Sequence, residues 1–242
     1  MSLIIPDWPA PANVRACSTT RTGGFSQAPW DSLNLGAHVQ DCPQLVQKNR
    51  EQLCRLAGLP AMPAWLTQVH GTDVLSLPAV SPGSLIADAC QTTLPGQVCA
   101  VMTADCLPVI FCSADGRQVA AAHAGWRGLC QGVLEKTLAE FSCPSSEVLV
   151  WMGPAIGPEA FEVGPEVRDA FIAVDPAADQ AFLPYHGKYM ADLWLLARQR
   201  LTRAGVVSIS GGGRCTYTES EYFFSYRRES NTGRMATLVW LI

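Results

Sequence analysis

The sequence predicts an α+β fold in which helices pack outside mixed β-sheets. Strand-like and helix-like segments both occur, but they do not alternate strictly, as a regular doubly wound fold would require. The 242 residues are 48% hydrophobic and 16% charged, which is enough apolar material for a packed core. Neither an internal repeat nor a Gly/Ser- or Pro-rich linker divides the chain. We therefore expect a single domain over residues 1–242.

The amino-terminal half is predicted to be mostly strands. Residues 14–21 are rich in small and β-branched side chains, which is typical of a strand, and the Gly- and Ser-containing segment 22–36 is typical of a loop. Apolar residues recur on one helical face of residues 43–57 and predict a helix there. Further strands are expected over 64–69, 74–78, 97–104, 108–113 and 118–122.

The carboxy-terminal half adds the remaining helices. One helix is expected over 129–141, because its apolar residues are spaced to face inward. A buried strand over 148–157 runs into a Gly/Pro loop. Amphipathic helices are expected over 166–174 and 191–204, and strands over 206–210, 223–226 and 236–242.

Net charge and the distribution of apolar residues limit the classes of partner that the protein can bind. The net charge of −4 argues against non-specific nucleic-acid binding, and no apolar run reaches the 18 residues of a membrane span. The amino terminus has neither a basic region nor a long apolar run, so we expect no secretory signal. We expect a cytoplasmic monomer that acts on a small molecule and binds neither nucleic acid nor membrane.

The ten cysteines contain no C-x-x-C pair, which argues against zinc fingers and thioredoxin-like motifs. Without an export signal, disulfides are not expected either. Most of the cysteines are therefore expected to be reduced, small and buried.

Three strands end at a potentially reactive side chain followed by a turn. These are His70 in TQVHGTD, Cys106 in MTADCLP and His123 in AAAHAGWRG. Two imidazoles and one thiolate suit catalytic zinc, which uses three protein ligands and leaves one position open. The gaps of 36 and 17 residues match no short zinc motif. Ordinary turn or core histidines and a buried thiol therefore remain an alternative.

Neighbouring polar residues could complete such a site. Asp105 and Asp73 could orient a histidine or act as general bases. GWRGL leads from a turn into a helix, where free backbone N–H groups and Arg127 could hold an anion. TTRTGGFS, with Arg21 and Ser26, offers a second basic loop. A tight turn with Arg127 in solvent explains the first of these loops equally well.

The ordered motifs along the chain resemble the YfiH-like family, especially its enterobacterial members. This family is also called the laccase-domain or multicopper polyphenol oxidase family. The resemblance implies a single-domain, four-layer αββα sandwich with zinc held by His70, Cys106 and His123. The motifs are TTRTGGFS, SLNLGAHV, QVHGTDV, VMTADCLPV, AAHAGWRGL, GPAIGPEAFEVG and RCTYTESEYFFSYRRESNTGR.

The resemblance also implies an activity. It implies phosphorolysis of purine nucleosides, namely adenosine, inosine, guanosine and methylthioadenosine, together with adenosine deamination. Bacterial members are further linked to peptidoglycan editing. On this interpretation Arg21 and Arg127 are candidates for binding phosphate. Ser26, Asn34 and Gln68 are candidates for the sugar or base, and a planar slot could use Phe25, Trp126, Phe161 or Phe224.

Three alternatives stay open on sequence alone. Cys106 could be the nucleophile of a cysteine hydrolase that removes L-Ser from a muramyl precursor, activated by His70 or His123. A copper-dependent polyphenol oxidase is less favoured, because the chain has four histidines and no His-x-His pair. Copper could still bind the two histidines and the thiolate, with Met102 nearby. The third alternative is a non-catalytic metal- or nucleotide-binding module.

Overall fold

A computed structural model describes residues 3–79 and 85–242 of the chain. Two β-sheets face each other, and helices cover both outer faces. The strands are β1 (Leu3–Ile4), β2 (Val14–Thr19), β3 (Val74–Ser76), β4 (Ala89–Thr92), β5 (Val98–Thr103), β6 (Leu107–Ser113), β7 (Val119–Ala124), β8 (Val148–Met152), β9 (Glu162–Val163), β10 (Phe182–Tyr185), β11 (Lys188–Ala191), β12 (Ser208–Gly211) and β13 (Met235–Leu241). The α-helices are α1 (Pro43–Ala57), α2 (Trp126–Gln131), α3 (Val133–Ala139), α4 (Pro165–Val174) and α5 (Leu193–Arg203).

The two large sheets differ in strand direction. The four-stranded sheet has the order β1-β2-β13-β5 and is antiparallel throughout. The six-stranded sheet has the order β12-β8-β6-β7-β4-β3, and its two edge pairs, β12–β8 and β3–β4, are parallel. A small antiparallel sheet, β10-β11-β9, shares no strand with either and packs in one core with the six-stranded sheet. The predicted mixed α+β architecture is therefore confirmed.

Three apolar cores separate four layers. Between the sheets, Val101 and Val239 of one sheet pack against Ile110 of the other. On the far side of the six-stranded sheet, Phe111 packs in a core with helices α2–α5, since neighbouring residues of a strand point to opposite faces. On the far side of the four-stranded sheet, Leu53 of α1 joins the third core. These layers form the αββα sandwich that the family resemblance implies. The extent of the domain, residues 1–242, stays a prediction.

Several predicted elements differ from the structure. The helix expected over 129–141 is two helices, because Gly132 at φ +97° ends α2 and begins α3. Residues 64–69 form only one isolated bridge, at Thr67, and 223–226 form no strand. Strands β1, β4, β9, β10 and β11 were not predicted, because their short segments lack a clear period-two pattern. Strand β7 runs past residue 122, so that His123 lies within it.

The cysteines are reduced, as expected, but less buried than expected. All ten are free, yet four are buried, five are partly exposed and one is exposed. The expectation that most are buried is therefore wrong. Within the described part of the chain, no helix is both long and apolar enough to cross a membrane.

Helix α1 carries a buried amide that organises the loop before it. The Nδ2 of Asn49 donates to Ser26 Oγ and to the Asn34 carbonyl, both at 2.8 Å. Its Oδ1 accepts the Phe25 N–H at 2.7 Å. Asn49 is fully buried, so the loop over 25–34 depends on it for hydrogen bonds that water cannot replace.

The substitution Asn49→Leu tests this anchoring. It removes the hydrogen bonds of Asn49 to the Asn34 carbonyl and the Phe25 N–H, while the Ser26 hydroxyl keeps its bond to Asp41. We expect it to lower the free energy of unfolding by about 2–3 kcal/mol. Urea denaturation measures the change. Gln47→Ala on the exposed face of α1 is the control and should stay within about 0.5 kcal/mol of wild type. An Asn49→Leu variant as stable as wild type would contradict the anchoring role.

Candidate metal centre

Three side chains predicted from sequence come together in one place. One donor atom from each of His70, Cys106 and His123 lies within 4.8 Å of the others. His70 comes from the loop before β3, and Cys106 ends the turn between β5 and β6. His123 lies in β7 opposite Pro108 of β6, so the pairing of these two strands brings it beside Cys106. The fold thus brings together three residues that lie 36 and 17 positions apart in the sequence.

The donor set fits a metal ion. Tetrahedral zinc with Zn–N and Zn–S bonds of about 2.0–2.3 Å places its ligand atoms roughly 3.3–3.8 Å apart. The Cys106 Sγ to His70 Nε2 distance is 3.8 Å. His123 is buried, whereas His70 is exposed and Cys106 partly exposed, so the cluster is open on one side. Two imidazoles with one thiolate suit zinc or copper and leave the identity of the metal undetermined.

A buried carboxylate, Asp88, holds both histidines. Its Oδ1 lies 2.8 Å from His123 Nδ1 and accepts the backbone N–H of His70 at 2.9 Å. Its Oδ2 accepts the N–H groups of Val69 at 3.1 Å and Gly71 at 2.7 Å. Burial raises the pKa of Asp88, but the hydrogen bonds from His123 and this loop outweigh it and lower the pKa. The contact leaves Nε2 of His123 free to bind a metal.

Close backbone contacts around the cluster require glycine at positions 125 and 128. His70 has φ +59°, a left-handed conformation uncommon for residues other than glycine. A Cβ on Gly125 would lie 2.8 Å from His70 Cδ2 and 3.0 Å from Cys106 Sγ. A Cβ on Gly128 would lie 2.7 Å from the carbonyl of Gly71. Both glycines of HAGWRG therefore let α2 begin directly against the cluster.

The thiol and imidazole polarise each other. Burial disfavours the Cys106 thiolate, but His123 and His70 outweigh it and lower the pKa of Cys106 to about 6. Burial also disfavours the His123 imidazolium, but Cys106 and Asp88 outweigh it and raise the pKa of His123 to about 9. Both shifts favour a Cys106 thiolate beside a His123 imidazolium in the metal-free protein.

The cluster opens into a cavity of about 410 Å³. Three of its wall residues are arginines, and each stacks on an aromatic side chain. The distances from the guanidinium carbon to the ring centroid are 4.5, 5.5 and 5.9 Å. These pairs are Arg127 on Trp126, Arg227 on Phe161 and Arg234 on Tyr226, all in the cavity wall. The cavity therefore combines a cationic lining with apolar faces.

Two of the predicted binding residues line this cavity. Arg127 is exposed, at the start of the six-residue helix α2. The side chain of Gln68 is occupied by the backbone of Met102, donating to its carbonyl at 2.8 Å and accepting its N–H at 2.7 Å. Gln68 thus fixes the end of β5, which precedes the Cys106 turn.

Asp105 also lines the cavity, but its carboxylate is engaged elsewhere. Oδ1 accepts the Thr216 hydroxyl at 2.6 Å, and Oδ2 accepts the Ser225 hydroxyl at 3.0 Å and the Arg227 N–H at 2.7 Å. Asp73 contacts the site through its backbone carbonyl, which accepts from Asp88 and Ala89. The carboxylate that orients a histidine is therefore Asp88, which corrects the prediction of Asp105 or Asp73 for that task.

Three predicted binding residues lie outside the cavity wall. Arg21 forms an ion pair with Asp31 at 3.2 Å and stacks 4.8 Å from the Phe224 ring centroid. Ser26 and Asn34 are buried and donate to the Asp41 carboxylate at 2.5 and 2.9 Å.

Of the four aromatic candidates, Trp126 and Phe161 line the cavity, and Phe25 and Phe224 do not.

Sequence reasoning missed several residues of the site, one beneath the cluster and others in the cavity wall. Asp88 was detectable as a lone acid in an apolar stretch before β4, although nothing local revealed its partners. Arg227 and Arg234 lie in the last motif of the family resemblance, yet only the fold shows that they face the cavity. His38, in SLNLGAHV, lines the same cavity.

Comparisons with known proteins decide the family. The family model described as multi-copper polyphenol oxidoreductase laccase matches residues 15–242. The chain belongs to this YfiH-like laccase-domain family. It is 59% identical over 240 residues to a protein named purine nucleoside phosphorylase YfiH from Escherichia coli, covering 99% of each chain. It is 56% identical to a purine nucleoside phosphorylase of Pseudomonas aeruginosa, covering 98% of each chain.

Solved structures of YfiH-like proteins share the fold. A Neisseria meningitidis protein assigned to the DUF152 family superposes with a TM-score of 0.94 at 48% identity, covering 100% of this chain and 99% of that one. The YfiH protein of Bacillus licheniformis gives a TM-score of 0.92 at 30% identity, covering 100% and 97%.

The substitution Asp88→Asn tests the carboxylate that joins the histidines. An amide cannot accept all the hydrogen bonds that Asp88 accepts, so we expect the free energy of unfolding to fall by about 2–4 kcal/mol. Metal affinity should fall about 10- to 100-fold, measured by competition with a chelator. Asp73→Asn is the matched control, because Asp73 acts through its backbone. Equal effects of the two substitutions would contradict the assignment.

The pKa of Cys106 predicts its reactivity in the metal-free protein. The thiolate is the nucleophile, so the rate of iodoacetamide alkylation at Cys106 should rise with pH with a midpoint near 6. Peptide mass spectrometry separates Cys106 from the exposed Cys42, which serves as an internal reference. A midpoint near 8.5, the ordinary value of a free cysteine, would show that the histidines do not polarise the thiol.

Proposed function

We propose that this chain is a zinc-dependent purine nucleoside phosphorylase, with His70, Cys106 and His123 as the metal ligands. One observation carries the proposal: the donor cluster lies in the wall of a cavity that also presents three arginines and apolar aromatic faces. A reaction between a planar nucleoside and an anionic phosphate needs these features together. The relatives named purine nucleoside phosphorylase support the same class of reaction.

The proposed substrates are adenosine, inosine, guanosine and methylthioadenosine, with deamination of adenosine as a second reaction. The rings of Trp126 and Phe161 offer faces against which a purine can pack. Arg127, in the same wall, is a candidate for the phosphate. Arg21, Ser26 and Asn34 are proposed to act indirectly, because their side chains bind neighbouring loops.

Different residues of the site have different roles in the proposed reaction. When bound, zinc supplies Lewis-acid polarisation of an oxygen or a hydroxide at neutral pH. Asp88 keeps the proton of His123 on Nδ1 and so directs Nε2 towards the centre. Asp105 already accepts three hydrogen bonds, so we propose that it positions Arg227 and Tyr226 in the wall. Gln68 positions the β5 end in the same manner.

The direct test is release of free base. Zinc-loaded wild type should release base from adenosine and inosine only when phosphate is present, and should convert adenosine to inosine without it. Loss of one ligand in His70→Ala should reduce both rates at least about 100-fold. His186→Ala, an exposed histidine outside the cavity, is the control and should retain the wild-type rates.

Other outcomes point to the alternatives. Equal rates in wild type and His70→Ala would contradict the metal-dependent reaction. A metal-free enzyme that cleaves amides and is inactivated by alkylation of Cys106 would favour the cysteine hydrolase, with the muramyl L-Ser precursor as the substrate to test. Copper-dependent oxidation of phenols, without base release, would favour the oxidase.

A further inference from the structure

The cavity wall contains a cation without a counter-ion. Arg234 is partly buried, and within residues 3–79 and 85–242 it forms no ion pair. Its Nη1 donates to the carbonyls of Thr232 and Gly233, both at 3.0 Å. Desolvating a guanidinium without an anion is unfavourable, so its retention in a cavity wall points to an anionic ligand.

The fold fixes the stem of this arginine. Its backbone N–H donates to Asn34 Oδ1 at 2.9 Å, and Asn34 is fully buried. A Cβ on Gly36 would lie 2.7 Å from Arg234 Cγ, so glycine leaves the space through which the side chain runs. The loop over 34–36 therefore acts as a support for Arg234. This accounts for Asn34 as a positioning residue rather than a substrate contact.

The charges around Arg234 leave its cation available to a ligand. Burial lowers the pKa of Arg234, while the nearby Cys106 and Asp105 raise it. Cys106 belongs to the candidate metal centre, and the Asp105 carboxylate is occupied by Thr216, Ser225 and the Arg227 N–H. Burial lowers the pKa of His38, and Arg234 and Arg50 lower it further, so this side of the cavity favours anions.

We infer that Arg234 binds the phosphate co-substrate of the proposed phosphorylase, in place of the Arg21 contact suggested by the sequence. The inference rests on the proposed function for the identity of the anion. Arg21 already forms an ion pair with Asp31 and lies outside the cavity wall, whereas Arg234 lies in the wall with the metal-ligand candidates. A guanidinium fork suits a tetrahedral dianion and can bind two of its oxygens.

Calorimetric titration with inorganic phosphate tests the inference without relying on turnover. Wild type should bind one phosphate per chain, and Arg234→Gln should bind it roughly 10- to 100-fold more weakly, in both the zinc-loaded and the metal-free protein. Arg234→Lys should fall between them, because it keeps the charge but loses the fork. Arg117→Gln, an exposed arginine outside this wall, controls for the change in net charge.

Gly36→Ala is a second variant that keeps every charge. Its Cβ should displace the stem of Arg234, so we expect phosphate affinity to fall at least threefold while the midpoint of Cys106 alkylation stays at the wild-type pH. That midpoint, together with urea denaturation of each variant, shows that the fold and the metal centre are intact. Wild-type phosphate affinity in well-folded Arg234→Gln would overturn the inference.

The outcomes separate this inference from the proposed function. If Arg234→Gln weakens phosphate binding but wild type releases no base, the inference stands and the phosphorylase proposal fails. If base release depends on phosphate and Arg234→Gln binds phosphate like wild type, the phosphorylase stands and the inference fails. Binding of adenosine 5′-monophosphate without binding of free phosphate would also overturn it, because the anion would then be an ester.

Discussion

The buried Asp88 carboxylate is the interaction on which the site depends. It accepts the N–H groups of three consecutive residues around His70 and contacts the ring of His123. A single side chain therefore fixes both the left-handed backbone at His70 and the ring orientation at His123. Without Asp88, His70 in its loop and His123 in its strand would share no hydrogen-bond partner that fixes their relative positions.

Around this anchor, the sandwich supplies the rest of the geometry. The β6–β7 pairing brings Cys106 beside His123, and the glycines of HAGWRG admit α2 against them. The carboxy-terminal segment closes the cavity, held by the Asp105 carboxylate and by Asn34 at Arg234. Buried carboxylates and amides thus hold the wall through hydrogen bonds, while arginines and aromatic rings line the cavity. This division explains why Ser26, Asn34 and Asp105 are structural neighbours of the site.

The sequence singled out His70, Cys106 and His123, which the fold brings together, and it predicted most central strands, because reactive side chains at strand ends and long apolar runs are local signals. The metal-ligand role of the three residues stays a prediction. The sequence could not predict the role of Asp88, since the partners of that residue lie 17–19 and 35 positions away along the chain. Arg21 looked available because it ends a strand, but its partner Asp31 becomes visible only when the loop folds back. Gly132 split a helix whose apolar periodicity is unbroken. The cytoplasmic location and the monomeric state remain predictions.

The most direct test of the account is X-ray absorption spectroscopy at the metal edge of protein purified without added metal. We expect one zinc per chain with two nitrogen ligands and one sulfur ligand, and loss of the sulfur signal in Cys106→Ser. If the protein bound copper instead of zinc, as the laccase name of the family model suggests, the same ligand signals would be found at the copper edge. A zinc shell made only of oxygen and nitrogen, or protein without stoichiometric metal that retains full activity, would contradict the central claim.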